Sequence, residues 1–262
     1  MKKQKLAVAF AALLTMVGFS SCLNGDNDPT VSPQELMRVN GGTGFYSFTS
    51  AYGYTVTPLN MSDLSNLSLQ SYAIVQYSYD SSVLEWNEDK KVTVNNVVSI
   101  KDDFTFPKAP EADAGNAPLY TISSSMAQPM YFDKYNLFIP VTYYYKNSSD
   151  SDDLKAELNS HSFALYYDPN DAESTDGKLL LHLRHKVADT EVQRSDYGTE
   201  YRHFNITSVL SSYASAHGDG VSMPDKLVIE YERSSSSSYE NKTSEKLEIN
   251  YKSVFEQSTV NQ

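Results

Sequence analysis

The chain has 262 residues, of which 40% are hydrophobic and 12% aromatic, and it carries a formal net charge of −12. This length suits one or two domains with cores of their own, without a disulfide or metal ion to stabilise them. The acidic excess excludes a protein that binds nucleic acid through a basic surface. A single cysteine excludes an internal disulfide and a cysteine-rich metal site.

Residues 1–21 are predicted to be a secretory leader. Lysines at positions 2, 3 and 5 precede an apolar segment over residues 6–19, which is shorter than the ~20 residues of a typical membrane span. Two serines then precede Cys22, and this arrangement resembles the lipobox of bacterial lipoproteins. The resemblance implies cleavage before Cys22 and attachment of acyl chains such as palmitate to it. A plain secretory signal followed by a chance cysteine is the alternative.

Residues 22–40 are predicted to form an acidic tether and a short helix. The stretch 23–30 is polar and acidic and has no hydrophobic periodicity, as in a flexible segment. Ser32-Pro33-Gln34-Glu35 places serine, proline and glutamate at the N-cap, N1 and N3 positions of a capping box. This motif predicts a helix over residues 33–38, ended by Asn40 and the two glycines after it.

Residues 41–108 are predicted to form a first β-domain. Alternate apolar residues fall on one face over residues 72–79 and again over residues 92–100, as in strands. Three to five strands in this block suit a small barrel or a sandwich. The next segment, residues 109–118, lies in a stretch rich in proline and alanine without a large apolar residue, and it is predicted to be a linker.

Residues 119–256 are predicted to form an antiparallel β-sandwich, followed by a tail of residues 257–262. Strands are expected over residues 135–145, 162–167, 178–186, 201–206, 227–232 and 247–251. Pro140 cannot donate to a ladder, so the first of these strands should be an edge or carry a bulge. Residues 152–158 and 207–214 are expected to be helical insertions. The predicted fold class is therefore all-β.

Three segments of this block are similar to the NigD-like family of lipoproteins: Asp133-Lys-Tyr-Asn-Leu-Phe-Ile-Pro-Val, His161-Ser-Phe-Ala-Leu-Tyr-Tyr, and the stretch from Leu179 to Asp189. The resemblance implies a lipoprotein signal, an N-terminal domain of OB type and a C-terminal β-sandwich, so the first domain is expected to be an OB-like barrel. The family is associated with bacteriocin immunity, and the resemblance transfers no catalytic residue. Lys186 stands where members of the family tend to have asparagine.

The sequence contains none of the common catalytic motifs. It lacks a Gly-x-Ser-x-Gly elbow, a His-Glu-x-x-His pair and a glycine-rich phosphate loop. Two carboxylates across a cleft would suffice for a glycosidase, but the abundance of acidic residues does not pair any two of them. We therefore predict a protein without catalytic activity, without catalytic residues and without a cofactor.

Two groups of residues are candidates for binding a ligand or a metal. His182 and His185 lie three positions apart on a predicted strand and so point to opposite faces. His185 is interpreted as a hydrogen-bonded, partly buried histidine near the strand end, with ligand binding as the alternative. Asp168, Asp171 and Asp176 belong to an acidic turn that is the best calcium candidate, but its spacing fails the EF-hand pattern, which favours a solvated turn.

Tyr144 and Tyr166 are candidates for ligand binding because consecutive tyrosines on a strand must point to both faces. Exposed rings stack on sugars or anchor protein partners. Rings that simply cover the sheet and neighbouring side chains are the alternative interpretation.

Together these features predict a lipid-anchored binding lipoprotein of a bacterial outer membrane, with exposure at the cell surface as a further expectation. Its expected partners are the membrane, through the lipid, and a protein or a glycan, but not nucleic acid. Two alternatives are a carbohydrate-binding accessory lipoprotein of a glycan-uptake system and a structural lipoprotein similar to a fimbrial subunit.

Overall fold

The computed structural model describes residues 30–42, 45–60, 67–80, 82, 90–110, 115–175, 177–218 and 223–256. The predicted leader, the predicted lipid-attachment residue Cys22 and the predicted tail lie outside these residues. The chain divides into two compact units, of which the first ends at Asp102 and the second begins at Asp103. In the described part of the chain, no helix has the length and apolar character needed to span a membrane.

The first unit is built from short strands. They are β1 (Thr30–Val31), β2 (Gln34–Gly42), β3 (Phe45–Ser50), β4 (Thr55–Pro58), β5 (Tyr72–Asp80) and β6 (Lys90–Asp102). β2 pairs with β3 and β5, β3 with β4, and β5 with β6, all antiparallel. β4 and β6 pair in parallel and close the ring. This is the strand order of a five-stranded OB-type barrel, so the expected OB-like barrel is confirmed.

The barrel encloses an apolar core because alternate residues of its strands point inward. β2 contributes Met37 and Val39, and β3 contributes Phe48, all of them fully buried. Val75 and Val94 meet them from β5 and β6.

The helix predicted over residues 33–38 is wrong, because this segment is the first strand of the barrel. β2 has hydrogen-bonded neighbours on both sides, and its residues Met37 and Val39 alternate into the core at the period of a strand. Glu35 does not cap a helix. Its carboxylate accepts hydrogen bonds from the hydroxyls of Tyr54 and Tyr77. Pairing on two sides and burial thus outweigh the local helix signal.

The second unit contains strands interrupted by short helices. The strands are β7 (Phe104–Phe106), β8 (Leu119–Thr121), β9 (Met130–Asp133), β10 (Asn136–Tyr145), β11 (His161–Tyr166), β12 (Lys178–Val187), β13 (Asp196–Asn205), β14 (Lys226–Arg233) and β15 (Thr243–Asn250). The helices are α1 (Ser151–Asn159), α2 (Thr207–His217), α3 (Lys252–Glu256) and a 3-10 turn over Tyr239–Asn241. α1 and α2 confirm the two predicted helical insertions.

The strands of the second unit fold back on themselves around one core. Pairing runs in the order β13, β10, β8, β14, β12, β11, β7, with β9 on β10 and β15 on β14. Tyr143 of β10 nevertheless has its ring centre 5.5 Å from that of Phe163 on β11 and 5.4 Å from that of His185 on β12. Strands that are far apart in the pairing order therefore pack face to face, as in a sandwich.

The sequence predicted a purely antiparallel sandwich, but the observed pairing is mixed. β12 pairs in parallel with β14, and β11 pairs in parallel with β7. A parallel pair needs a long connection between its strands, and the chain from β12 to β14 passes through β13 and α2. The all-β class is confirmed, with this mixed pairing.

The boundary between the units is earlier than predicted, and the predicted linker is partly built into the second unit. β7 precedes residues 109–118, yet it pairs with β11. At the other end of the segment, Asn116 exchanges hydrogen bonds of 2.7 and 2.9 Å with the backbone of Val187. The described residues of this stretch are half-buried, except for the buried Pro118.

Pro140 lies in a strand with partners on both sides, so the expected edge is wrong, while the alternative of a bulge agrees with the register shifts that β10 shows against β8 and β9. On one side β10 pairs with β13 along its whole length. On the other side β9 pairs at residues 136–138 and β8 at Thr142 and Tyr143, each with a register shift. Among the described strands, none pairs with β10 between these two, so Pro140 is accommodated in a gap between short strands.

Candidate functional site

The core of the second unit contains a cluster of charged side chains. The hydroxyl of Tyr143 donates to Glu200 Oε1 over 2.6 Å. Arg202, which is 2% exposed, donates from Nε to the same oxygen over 3.0 Å and from Nη1 to Asp103 Oδ2 over 3.3 Å. Asp103 accepts from the backbone N–H of Phe163 over 3.1 Å, and the Arg202 guanidinium lies 4.7 Å from the centre of the Phe163 ring. One buried arginine thus bridges two carboxylates.

Neighbouring groups decide the protonation of this cluster. Burial lowers the pKa of Arg202, but Glu200 and Asp103 outweigh burial, so the pKa stands above its ordinary value. Burial raises the pKa of Tyr143 well above its usual range, and the negative charge of Glu200 acts in the same direction. Arg202 therefore stays charged and Tyr143 stays neutral throughout the physiological range, and both remain hydrogen-bond donors.

A second polar cluster surrounds two buried histidines. His185, on β12, donates from Nδ1 to the carbonyl of Pro118 over 3.1 Å, since a carbonyl oxygen only accepts. Its Nε2 lies 2.9 Å from Nδ1 of His161 on β11, and Nε2 of His161 lies 3.2 Å from Glu157 Oε1 on α1. The interpretation of His185 as a hydrogen-bonded histidine is confirmed, and the side chain is more deeply buried than predicted.

The neutral histidine pair has one N–H donor fewer than its contacts require. Three contacts join Pro118, His185, His161 and Glu157, whereas two neutral imidazoles carry two N–H groups. Burial, together with the neighbouring His161, lowers the pKa of His185 to about 3. Burial lowers the pKa of His161 to about 4, although Glu157 acts in the opposite direction. At neutral pH both histidines are therefore uncharged, and one of the three contacts lacks a hydrogen.

Arg194 ties the loop between β12 and β13 (residues 188–195) to α1. Its Nε donates to Glu157 Oε1 over 2.7 Å, and its Nη1 donates to the carbonyls of Asp189 and Val192 over 2.8 and 3.1 Å. Burial raises the pKa of Glu157, but hydrogen bonds from the Lys146 backbone and from Arg194 outweigh it, so the pKa is lowered. The pair formed by the buried Arg194 and the half-buried Glu157 therefore holds the β12–β13 loop against the body of the unit.

Two cavities share the β12–β13 loop as a wall. The first, which we call the groove, has a volume of about 430 Å³ and is bounded by residues 116–118, 190–194 and 237–240, with Tyr144 and His185 also in its lining. The second has a volume of about 480 Å³ and lies against α1, with Lys146 and Asp153 in its lining. Both volumes fall within the ~300–1,000 Å³ of typical ligand pockets.

Tyr144 belongs to the predicted ligand-binding residues and does line the groove. It is half-buried and meets the rings of Tyr120 and Tyr197 edge-on, with a centre-to-centre distance of 6.3 Å in each case. Tyr120 and Tyr197 are stacked at 5.2 Å with 14° between their planes. We call these three rings the tyrosine cluster.

Tyr166, the second predicted tyrosine, lies elsewhere. Its ring stacks on His182 at 4.9 Å, and the Arg184 guanidinium is 5.6 Å from its centre. His182 contacts Glu230 at 2.9 Å through Nδ1 and Asp171 at 3.2 Å through Nε2. His182 thus belongs to a polar network away from the buried His185, so the prediction of opposite faces is confirmed. Tyr166 covers this network, as the structural interpretation of the rings predicts.

The acidic turn is organised by its own backbone. Asp168 Oδ1 accepts the N–H of Asn170 over 2.9 Å, and Asp171 Oδ1 accepts the N–H of Glu173 over 2.9 Å. Asp176 lies outside the described residues. Within the described ranges, no three side chains of His, Cys, Asp or Glu come together as metal ligands, so Asp168 and Asp171 are not joined in a metal centre there.

Neither a protein-family model nor a curated protein sequence matches the chain. Solved structures do match it. A proposed lipoprotein from Bacteroides fragilis has a TM-score of 0.71 and 24% identity, with 84% of this chain and 98% of that chain covered. A NigD-like immunity protein from Bacteroides caccae has a TM-score of 0.51 and 15% identity, with 83% and 96% covered. The chain has the fold of this NigD-like protein.

The NigD-like fold is shared further, since a protein of unknown function from Bacteroides vulgatus matches with a TM-score of 0.56 and 11% identity, over 84% of this chain and 91% of that one. In each case the match extends over both units of the present chain, because neither unit alone makes up more than four-fifths of it. The resemblance inferred from three short segments is thus confirmed at the level of the fold.

Sequence reasoning missed the buried clusters of this NigD-like fold. Glu200 and Arg202 alternate with Phe204 at inward positions of β13, so charged residues in phase with a buried aromatic were the available signal. Glu157 and Arg194 lie 37 residues apart, in a helix and a loop, and no local pattern links them.

Proposed function

We propose that the chain is a lipid-anchored binding lipoprotein of the bacterial cell envelope, held at the outer membrane through Cys22 and without catalytic activity. The observation that carries the binding role is the groove. It is a preformed cavity of ligand size whose wall, the β12–β13 loop, is fixed by Arg194. The lipobox-like sequence that ends at Cys22 supports the anchor.

A role in bacteriocin immunity is the form of binding that the fold favours, because one protein of the same fold is a NigD-like immunity protein. Under this proposal the second unit, displayed at the membrane, recognises a partner before the partner acts on the cell. A binding role without catalysis is supported by two ionisable residues of the groove, His185 and Arg194, which are both committed to hydrogen bonds within the protein.

Cell fractionation tests the anchored location. We expect the wild-type chain in the membrane fraction and Cys22→Ser in the soluble fraction, because the thiol is the point of acylation and an acyl anchor supplies ~0.8 kcal/mol per buried CH₂. Ser21→Ala is the matched control, since it keeps a small residue before the cysteine and should stay with the membrane. Equal membrane retention of Cys22→Ser would reject the anchor.

A further inference from the structure

The tyrosine cluster adjoins the groove of the second unit, because Tyr144 belongs to both. Tyr197 is 60% exposed although one face of its ring is stacked on Tyr120. The opposite face of Tyr197 is therefore open to solvent. A rigid, exposed aromatic face beside a cavity is a feature of recognition surfaces.

The groove offers polar side chains that the protein itself does not use. Within the described part of the chain, no hydrogen-bond partner is present for the side chains of Thr190, Gln193, Ser237 and Ser238. They supply hydroxyl and amide groups that both donate and accept. A ligand that carries many hydroxyl groups could therefore be bound without leaving protein groups unpaired.

The charges of the groove disfavour an anionic ligand. Among the described residues of its lining, Arg194 is the only Lys or Arg, and its guanidinium is bound to Glu157 and to backbone carbonyls. Glu191 and Glu240 add two carboxylates to the lining. Together with the net charge of −12, these groups repel phosphates, sulfates and acidic sugars.

We propose that the groove and the tyrosine cluster bind an uncharged glycan. A pyranose ring has an apolar C–H face that would stack on the open face of Tyr197. Its hydroxyl groups would bond Thr190, Gln193, Ser237 and Ser238. The two carboxylates suit this ligand as acceptors from sugar hydroxyls. This inference rests on the proposed binding function of the groove and not on the immunity role, because it names the class of ligand for that groove.

An array of neutral oligosaccharides, built from glucose, galactose, mannose, xylose and N-acetylglucosamine, tests the proposal with the full chain purified in detergent. We expect binding to at least one neutral family, followed by measurement of affinity for that oligosaccharide by titration calorimetry. Tyr197→Ala should weaken the affinity about tenfold, because the stacking face is lost. Tyr197→Phe keeps the ring and should retain the affinity.

Tyr52→Ala is the matched control, since Tyr52 is 88% exposed and lies in the first unit. It should leave glycan binding unchanged. Binding of no neutral oligosaccharide, or an affinity that Tyr197→Ala does not alter, would overturn the proposal. So would binding of heparin hexasaccharide or hexalysine alone, which would indicate an anionic or a basic partner. The anchored location is tested separately by fractionation, so failure of glycan binding leaves it standing.

Discussion

Arg202 is a buried, charged residue whose charge is balanced by the two carboxylates that it contacts. Its side chain is 2% exposed, and the side chains of its partners Asp103 and Glu200 are only 5% and 14% exposed. Removing one member of such a set leaves uncompensated charge in the core, which costs more than the intact set contributes to stability. The stability of the second unit should therefore depend strongly on the side chain of Arg202.

We predict that Arg202→Met lowers the free energy of unfolding by about 3–5 kcal/mol, measured by chemical denaturation. Arg233→Met is the control, because Arg233 pairs with Glu245 at the surface, where both side chains are 39% exposed. Arg233→Met should lower the free energy of unfolding by less than about 1 kcal/mol. Similar losses in the two variants would contradict the account of the buried cluster.

His161 and His185 make the stability depend on pH. Both have lower pKa values in the folded chain, about 4 and about 3, than the ordinary histidine value of 6.5. The unfolded chain therefore binds more protons than the folded chain below pH 6.5. Their contribution to stability is fully present above pH 6.5 and is lost as the pH falls toward 4.

The expected decrease is up to about 1.4 kcal/mol per pH unit for each histidine, measured as the free energy of unfolding between pH 6.5 and pH 5. The carboxyl group of Glu230 does not interfere there, because hydrogen bonds from His182, Ser244 and Arg184 outweigh burial and lower its pKa to about 2. His161→Gln should give a shallower slope than the wild type. An unchanged slope would show that His161 is not the group that titrates.

The sequence allowed some of these residue-scale features to be predicted. The period of a strand was enough to place His182 and His185 on opposite faces, because that relation is local. The contacts of His185 with Pro118 and His161 could not be predicted, since they bring together residues 67 and 24 positions apart.

At the scale of elements, the β12–β13 loop is a structured wall of the groove rather than a free connection. Arg194 fixes it through two backbone carbonyls of the loop and through Glu157 on α1. α1 is itself anchored at its start, where the Asp150 carboxylate accepts from the N–H groups of Asp152 and Asp153. The shape of the groove therefore depends on one helix and one arginine.

Hydrogen exchange tests this dependence. In Arg194→Met the amide proton of Ala188, which donates to the Ser160 carbonyl over 3.1 Å, should exchange about tenfold faster than in the wild type, because about 1–3 kcal/mol of hydrogen bonding to charged groups is lost from the loop. Arg233→Met serves again as the control and should leave exchange in the loop unchanged. Unchanged exchange in Arg194→Met would mean that other contacts hold the loop.

Elements were predictable where the local pattern and the tertiary contacts agree. α1 and α2 were predicted from local sequence, and the alternation over residues 72–79 and 92–100 corresponds to β5 and β6. The capping-box motif at Ser32 failed because β3 and β5 both pair with the segment that follows. The local helix signal competes here with pairing to strands further along the chain, and a local sequence pattern does not reveal that pairing.

At the scale of the whole molecule, the two units share the all-β class and differ in how they end their sheets. The first closes its strands into a ring through the parallel pair β4–β6. The second leaves β15 as an outer strand whose exposed positions carry charges, such as Glu245, Lys246 and Glu248. Charges at these positions discourage pairing of β15 with another chain.

Mass spectrometry of the full chain extracted from bacterial membranes tests the anchored display of these units most directly. We predict that residues 1–21 are absent and that the N-terminal peptide begins at Cys22 with covalently attached acyl chains. An N-terminus at another residue, or a Cys22 with a free thiol in the membrane-derived protein, would contradict the account.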